Sequence, residues 1–222
     1  MKTLTKIFIT FLSFFFLTSA FAQKPFYLNK EGVIANYVNK DTKGKVSGYS
    51  QTTVTKVEGD DTNFTVTCET QVMDAKKKPL LQKPMKIKVS IENGTVKLDP
   101  VSSAGSLIEG MIVSGDYQLL PANLSVGDAM DDFSIQIEIG PIKTSSTFSN
   151  IKATSAETLD ISGTAIECLI VESVTSSKVI GIKSEMKQKI WYGRNIGAVK
   201  TETYDKKGKL FTSQELISIE GL

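Results

Sequence analysis

The chain has 222 residues, with 26 basic and 24 acidic side chains, two cysteines and no histidine. The lack of histidine excludes Ser-His-Asp and Cys-His catalysis, imidazole ligation of zinc and the usual switch near neutral pH. Two cysteines alone make no Cys-rich zinc site, and there is no CxxC, G-x-S-x-G, glycine-rich phosphate loop or EF-hand pattern.

Residues 1–22 read as a secretory signal. Lys2 and Lys6 precede an apolar run from Ile7 to Leu17, and Ala20-Phe21-Ala22 supplies a cleavage site before Gln23. The run is about half the ~20 residues that span a bilayer, so a membrane-spanning anchor is not expected. No cysteine lies near the cleavage site to accept a lipid. The expected product is one β-rich domain, 23–222, exported to the periplasm or outside the cell. Residues 1–22 carry two lysines and no acid, which leaves 24 basic against 24 acidic residues. A formally neutral chain gives no reason to expect nucleic acid or acidic lipid as a partner, either of which would require a basic patch, and the clusters Lys76-Lys77-Lys78 and Lys206-Lys207 read as solvated loop tips.

In chain order, strands are expected near 33–39 and 45–57. They are joined by Asp41-Thr42-Lys43-Gly44-Lys45, a loop in which aspartate bonds the turn backbone and glycine takes a left-handed conformation. Phe64, Val66 and Cys68 alternate with Thr65, Thr67 and Glu69, the mark of a strand with one buried face. A looser copy of the loop follows at Asp74-Ala75-Lys76-Lys77-Lys78-Pro79. Ile87, Val89 and Ile91 alternate in the same way, and Asn93-Gly94 suits a tight hairpin before Val96. From about Ser103 to Ser114, Leu107, Ile108, Met111 and Ile112 recur at helical spacing, although Gly105 and Gly110 weaken a helix. This segment is expected to plug the end of a core or cover one mouth of a curved sheet.

Phe133, Ile135, Ile137 and Ile139 give the third clear alternation. More strands are expected at 143–152, 155–160, 164–174, 183–192, 197–204 and 209–219, and Asp205-Lys206-Lys207-Gly208-Lys209 repeats the first loop. The fold class is all-β: a single strongly curved antiparallel sheet of about a dozen strands, a β-roll or half-barrel, with at most one short helix. A membrane barrel is disfavoured because aromatic girdles are missing and aromatic content is 8%.

Few residues invite chemistry. Ser149-Asn150-Ile151-Lys152 and Ser184-Glu185-Met186-Lys187 match S-x-x-K, but on a strand that spacing puts serine and lysine on opposite faces. Asp60-Asp61, and Asp128 with Asp131 and Asp132, are either calcium ligands or solvated turn acids; the turn reading is favoured, and no metal site or cofactor is assigned. Cys68 and Cys168 each lie on the apolar face of a strand, and two readings are open: a disulfide stapling the early sheet to the late one, or two buried free thiols. Arg194, the only arginine, follows Trp191 and Tyr192. With Leu107, Ile108, Met111 and Ile112, Trp191 and Arg194 are the candidate ligand mouth, against the plainer reading of a strand-end aromatic anchoring the sheet.

Several stretches carry a resemblance. They are Tyr37 with Asp41–Lys45 and Gly48-Tyr49, Val126-Gly127-Asp128 before the Phe133 strand, Trp191-Tyr192, Gly197-Ala198-Val199-Lys200-Thr201-Glu202, and Tyr204 with Asp205–Lys209. In order and spacing the chain resembles the TapB-like family of secreted bacterial proteins, a domain of unknown function with a curled β-sheet. The resemblance implies an exported envelope protein and brings no catalytic residue. A more distant similarity, at the level of fold, is to lipoprotein-carrier (LolA- and LolB-like) domains, which cradle acyl chains. Three functions follow in order of preference. The first is a non-enzymatic module binding a lipid or other apolar ligand on the concave face. The second is a structural or protein-interaction component of the envelope, and the third a carboxylate-dependent hydrolase.

Overall fold

The computed structural model describes residues 24–104, 111–179 and 181–222; the expected signal segment lies outside them. Strands β1 (Ile34–Lys40), β2 (Val46–Gly59), β3 (Asn63–Asp74), β4 (Met85–Glu92) and β5 (Thr95–Leu98) are followed by a one-turn helix, α1 (Pro100–Ala104). Then come β6 (Met111–Gly115), β7 (Gln118–Leu120), β8 (Phe133–Ile139), β9 (Ile142–Ile161), β10 (Thr164–Val179), β11 (Ile182–Gly193), β12 (Gly197–Asp205) and β13 (Leu210–Glu220). All belong to one antiparallel sheet in the order β6-β8-β9-β10-β11-β12-β13-β1-β2-β3-β4-β5-β7.

This order requires strong curvature. The two edge strands, β6 and β7, are separated in the chain by Asp116 and Tyr117 alone. Their facing ends therefore lie within about 12 Å at ~3.8 Å per residue. The sheet curls until its edges meet at one corner, without pairing into a closed barrel. The hydrogen bond between the side chains of Gln118 on β7 and Tyr192 on β11 spans the trough, which places Tyr192 on the concave face.

The concave face holds the core. Val66, Val89, Ile91 and Val96 are fully buried on β3, β4 and β5, and Leu120 joins them from β7. Across the trough lie Ile151, Ala153, Val171 and Tyr192. The segment before β1 enters this interior. Phe26 packs edge-on against Tyr192 with ring centroids 6.3 Å apart, and the Tyr27 hydroxyl reaches the Cys68 sulfur at 3.9 Å. Gly32 N–H donates to the Val54 carbonyl, which ties the segment's end to β2.

The three Asp-Lys loops are one structure used three times. Asp41 Oδ1 accepts from the amides of Lys43 and Lys45, Asp74 Oδ1 from Lys76 and Lys78, and Asp205 Oδ1 from Lys207 and Lys209, all at 2.8–2.9 Å. The fourth position is left-handed each time: Gly44 (φ 74°), Gly208 (φ 79°) and Lys77 (φ 62°). In the third copy a lysine adopts the conformation that glycine adopts freely, and its ammonium sits 5.1 Å from the centre of the Tyr49 ring.

Two expectations change. The helix expected over 103–114 is replaced by α1, begun by Asp99 Oδ1 accepting from the Val101 amide, and by a strand from Met111 onward. Met111 and Val113 pair with Ile139 and Ile137 of β8, so cross-strand apolar contact outweighs a helical spacing already weakened by two glycines. Leu107 and Ile108 lie outside the described residues. The strands expected at 143–152 and 155–160 are one strand, β9, whose pairing with β10 shifts twice, between Ile170 and Val171 and between Glu172 and Val174. Asn150 (φ 54°) lies in this irregular stretch.

Candidate functional site

Trp191 lies near the end of β11 and Arg194 just past it, and the two face different surroundings. Trp191 is buried on the convex face, where its Nε1 donates to Glu157 Oε2 at 2.7 Å. Lys189 and Lys200 lie over its ring at 5.0 and 4.6 Å, and they in turn reach Glu172 and Glu202. Its polar edge and its face are both occupied by the chain itself. The Glu202 carboxyl is held below its ordinary range because the Lys200 and Tyr204 hydrogen bonds outweigh the opposing effect of burial. The Tyr204 hydroxyl is pushed up to about 12, by burial and then by Glu202. This cluster anchors the sheet and leaves the indole no ligand-facing edge.

Arg194 is placed differently. The β11–β12 turn puts its guanidinium 4.4 Å from the centre of the Phe26 ring. Its Nη1 donates to the carbonyls of Lys24 at 2.8 Å and Ala122 at 2.9 Å. It thus clamps the entering segment and the β7–β8 connection to one end of the trough. Among the described residues Nη2 and Nε have no partner, and the side chain is exposed. Those two donors point to a planar anion as the complement of this site.

Arg194 stands at the lip of a cleft of about 580 Å³, lined by Phe26, Leu124, Val126, Ile166, Leu169 and Ile196 among others. Leu124 and Val126 are held there by the β7–β8 connection, which runs along β9: Gly127 N–H donates to the Ala153 carbonyl and Met130 N–H to that of Ile151. Ile166 and Leu169 come from the start of β10. Gly193 makes room for this packing, since a Cβ there would stand 3.0 Å from both Ile166 and Val199. A larger groove of about 780 Å³ opens at the opposite end, lined mostly by serine, lysine and acidic side chains with Met186 and Phe211.

The expected ligand mouth is not one place. Met111 and Ile112 lie on β6, an edge strand four positions along the sheet from β11, or roughly 19 Å at ~4.8 Å per strand. Of the candidate site residues, Arg194 and Cys168 line the 580 Å³ cleft and Trp191 does not. Phe26 and Leu124 were not singled out, and Val126 only within the Val126-Gly127-Asp128 stretch that carries the resemblance. They lie in segments without strand periodicity, where no local pattern marks them.

The open question about the cysteines resolves to free thiols. Cys68 on β3 and Cys168 on β10 are buried six positions apart in the sheet, against different neighbours. The Cys68 sulfur accepts from Tyr27, and that of Cys168 donates to the Ile166 carbonyl. The acid pairs are turn residues. Asp60 Oδ1 accepts from the amides of Thr62 and Asn63, Asp128 Oδ2 from Ser125 and Asp132 Oδ1 from Asn150. Among the described residues no group of three metal-ligating side chains converges. Ser184 and Lys187 lie on β11 at an odd spacing, on opposite faces.

Comparison with known proteins now bears on the whole arrangement. The sequence profile of the DUF3108-like family matches residues 30–216, from the segment before β1 into β13. The chain belongs to the DUF3108-like family. This DUF3108-like chain superposes on a Bacteroides fragilis protein described as exported and having a YmcC-like fold. The TM-score is 0.74 at 18% identity, covering 89% of this chain and all of that one. It superposes equally on a Parabacteroides distasonis protein described as a lipoprotein, with a TM-score of 0.75 at 17% identity, covering 89% of this chain and 99% of that one. At these identities the likeness is one of fold. No curated protein sequence matches the DUF3108-like chain. The family differs by name from the TapB-like one that the motifs resemble, and shares with it the standing of a domain of unknown function. No helix among the described residues is long and apolar enough to cross a membrane.

Proposed function

We propose that this protein is an exported, non-catalytic binding module that takes an amphipathic anion in the Arg194 cleft. The observation that carries the reading is the cleft itself. About 580 Å³ of largely apolar-walled space, with Ser125, Thr164 and Glu167 also on its lining, lies within the range of small-molecule sites, and the guanidinium at its lip has two nitrogens to spare. An acyl chain suits the walls and its carboxylate or phosphate suits the fork. Export is supported by the leader pattern of residues 1–22 and by the descriptions of the two superposed proteins. Cell fractionation tests it, and recovery in the cytoplasm with an intact N-terminus would contradict it.

A fluorescent long-chain fatty acid should bind the purified chain saturably. Val126→Glu, at an exposed position on the cleft wall, should weaken binding about tenfold or more by setting a like charge beside the anion. No uptake by the wild-type chain, together with no lipid in an organic extract of it, would refute the proposal.

A second reading, an envelope interaction component, draws on the seam where the sheet's edges meet. Ile112, Tyr117 and Leu119 are exposed there beside two short unpaired strand edges. If that seam meets a partner, Ile112→Lys with Leu119→Lys should abolish recovery of a reproducible crosslinked partner and leave fatty-acid binding intact.

A further inference from the structure

Strand pairing sends neighbouring hairpin tips to the same rim of the sheet. Lys40 at the end of β1 faces Ser213 near the start of β13, Gly48 near the start of β2 faces Asp74 at the end of β3, and Met186 on β11 faces Asp205 at the end of β12. Four adjacent hairpins, β10–β11, β12–β13, β1–β2 and β3–β4, therefore turn side by side.

Each of the four tips is basic. Lys178 and Lys183 flank the first; Lys206, Lys207 and Lys209 form the second. Lys43 and Lys45 lie on the third, and the run Lys76 to Lys78 makes the fourth. All ten are exposed, and none forms an ion pair among the described residues. The acids nearby are the three loop aspartates, which accept from their own loops' amides, Glu185, and Glu138, which pairs with Lys143 of the adjoining β8–β9 hairpin. The opposite rim carries Glu58 and Glu92, paired with Lys56 and Lys97, together with Asp60, Asp61, Asp160 and Arg194. A chain that is formally neutral after residue 22 thus gathers these unpaired lysines at one rim.

The basic tips also carry bare apolar side chains. Ile182 is 75% exposed between Lys178 and Lys183, Leu80 is 62% exposed just after Lys78, and Phe211 is 49% exposed beside Lys209. Lysine alone would suit any polyanion. Lysine interleaved with aliphatic tips, with no arginine on the rim and few aromatics for base stacking, suits a surface that is anionic outside and apolar beneath.

We propose that this lysine rim docks on an anionic lipid surface, with its ammonium groups at the headgroups and Val179, Ile182, Leu80 and Phe211 entering the interface. The Arg194 cleft lies at the other end of the strands, so the docking stands whether or not that cleft takes a ligand.

Co-sedimentation with vesicles tests it. Vesicles of equal parts phosphatidylcholine and phosphatidylglycerol should bind the purified chain at least about tenfold more tightly than phosphatidylcholine alone, and less as salt rises. Removing four charges from two of the tips with Lys178→Gln, Lys183→Gln, Lys206→Gln and Lys207→Gln should cost at least about tenfold in binding. Val179→Ser with Ile182→Ser should weaken it severalfold with the charge unchanged. Asp60→Asn with Asp61→Asn, on the far rim, should not weaken it. Unchanged Trp191 emission verifies the fold of each variant. Equal binding to both vesicles, or wild-type binding by the lysine variant, would overturn the proposal. So would indifference to the serine changes combined with full competition by heparin, which would mark a site for soluble polyanions.

Discussion

Cys68 and Cys168 sit where a thiolate is disfavoured. Burial raises the Cys68 pKa, and burial with the nearby Glu157 carboxylate pushes Cys168 up to about 11. A thiol reagent at pH 8 should therefore label neither in the native chain and both in denaturant without reductant. Labelling that requires reductant would reveal a disulfide and contradict the free thiols. The loop aspartates give a prediction of opposite sign. Backbone amides hold the Asp41, Asp60 and Asp205 carboxyls below their ordinary range, so their stabilisation is present above an unfolded value of about 4 and is lost as pH falls through the lowered folded values. Thermal midpoints should fall below about pH 4, and the fall should be shallower in Asp205→Asn. These loops were legible in the sequence because their chemistry is local: an aspartate two and four residues from the amides it accepts. The Trp191 cage was not, since Glu157, Lys189 and Lys200 meet on three different strands.

At the scale of elements, alternation was a sound guide wherever one face of a strand is buried over six residues or more, as in β3 and β4, and it also found β8, where Phe133 alone is buried. It failed for β6 and β7, which have five and three residues. In so short a stretch period two and period 3.6 look alike, and pairing decides the outcome, with β8 for β6 and with β5 for β7. Glycine marks the end of β6 for a steric reason. Gly115 has φ 141°, and a Cβ there would lie 2.2 Å from the Ser134 carbonyl oxygen. Gly115→Ala should cost about 1–3 kcal/mol in urea unfolding and loosen the β6–β8 pair. Ile91→Ala, in the fully buried face of β4, should cost about 2–5 kcal/mol with an unchanged denaturant slope. If Ile91→Ala costs under about 1 kcal/mol, the concave face there is not the packed interior described.

The whole molecule was legible as a class and not as an arrangement. Periodicity implied one curved antiparallel sheet, because strands with a single apolar face must bury it together. Strand order is fixed by pairings between distant segments, and no local pattern encodes those. The same reason hid both the Arg194 cleft, assembled from residues between Phe26 and Leu222, and the lysine rim. Each lysine group viewed alone is a solvated loop, and only the order of the hairpins sets four of them side by side.

That order also puts the first strand against the last. β1 pairs with β13 near the centre of the sheet, where Ile34 faces Glu220 and Lys40 faces Ser213. A polypeptide leaving the ribosome, or threaded through a pore N-terminus first, cannot join its two halves until almost every residue has appeared. The protein should fold slowly for its size, and removing residues 210–222 should leave a soluble but uncooperative chain in a melting experiment. Late completion would keep such a chain pliable for as long as it is in transit.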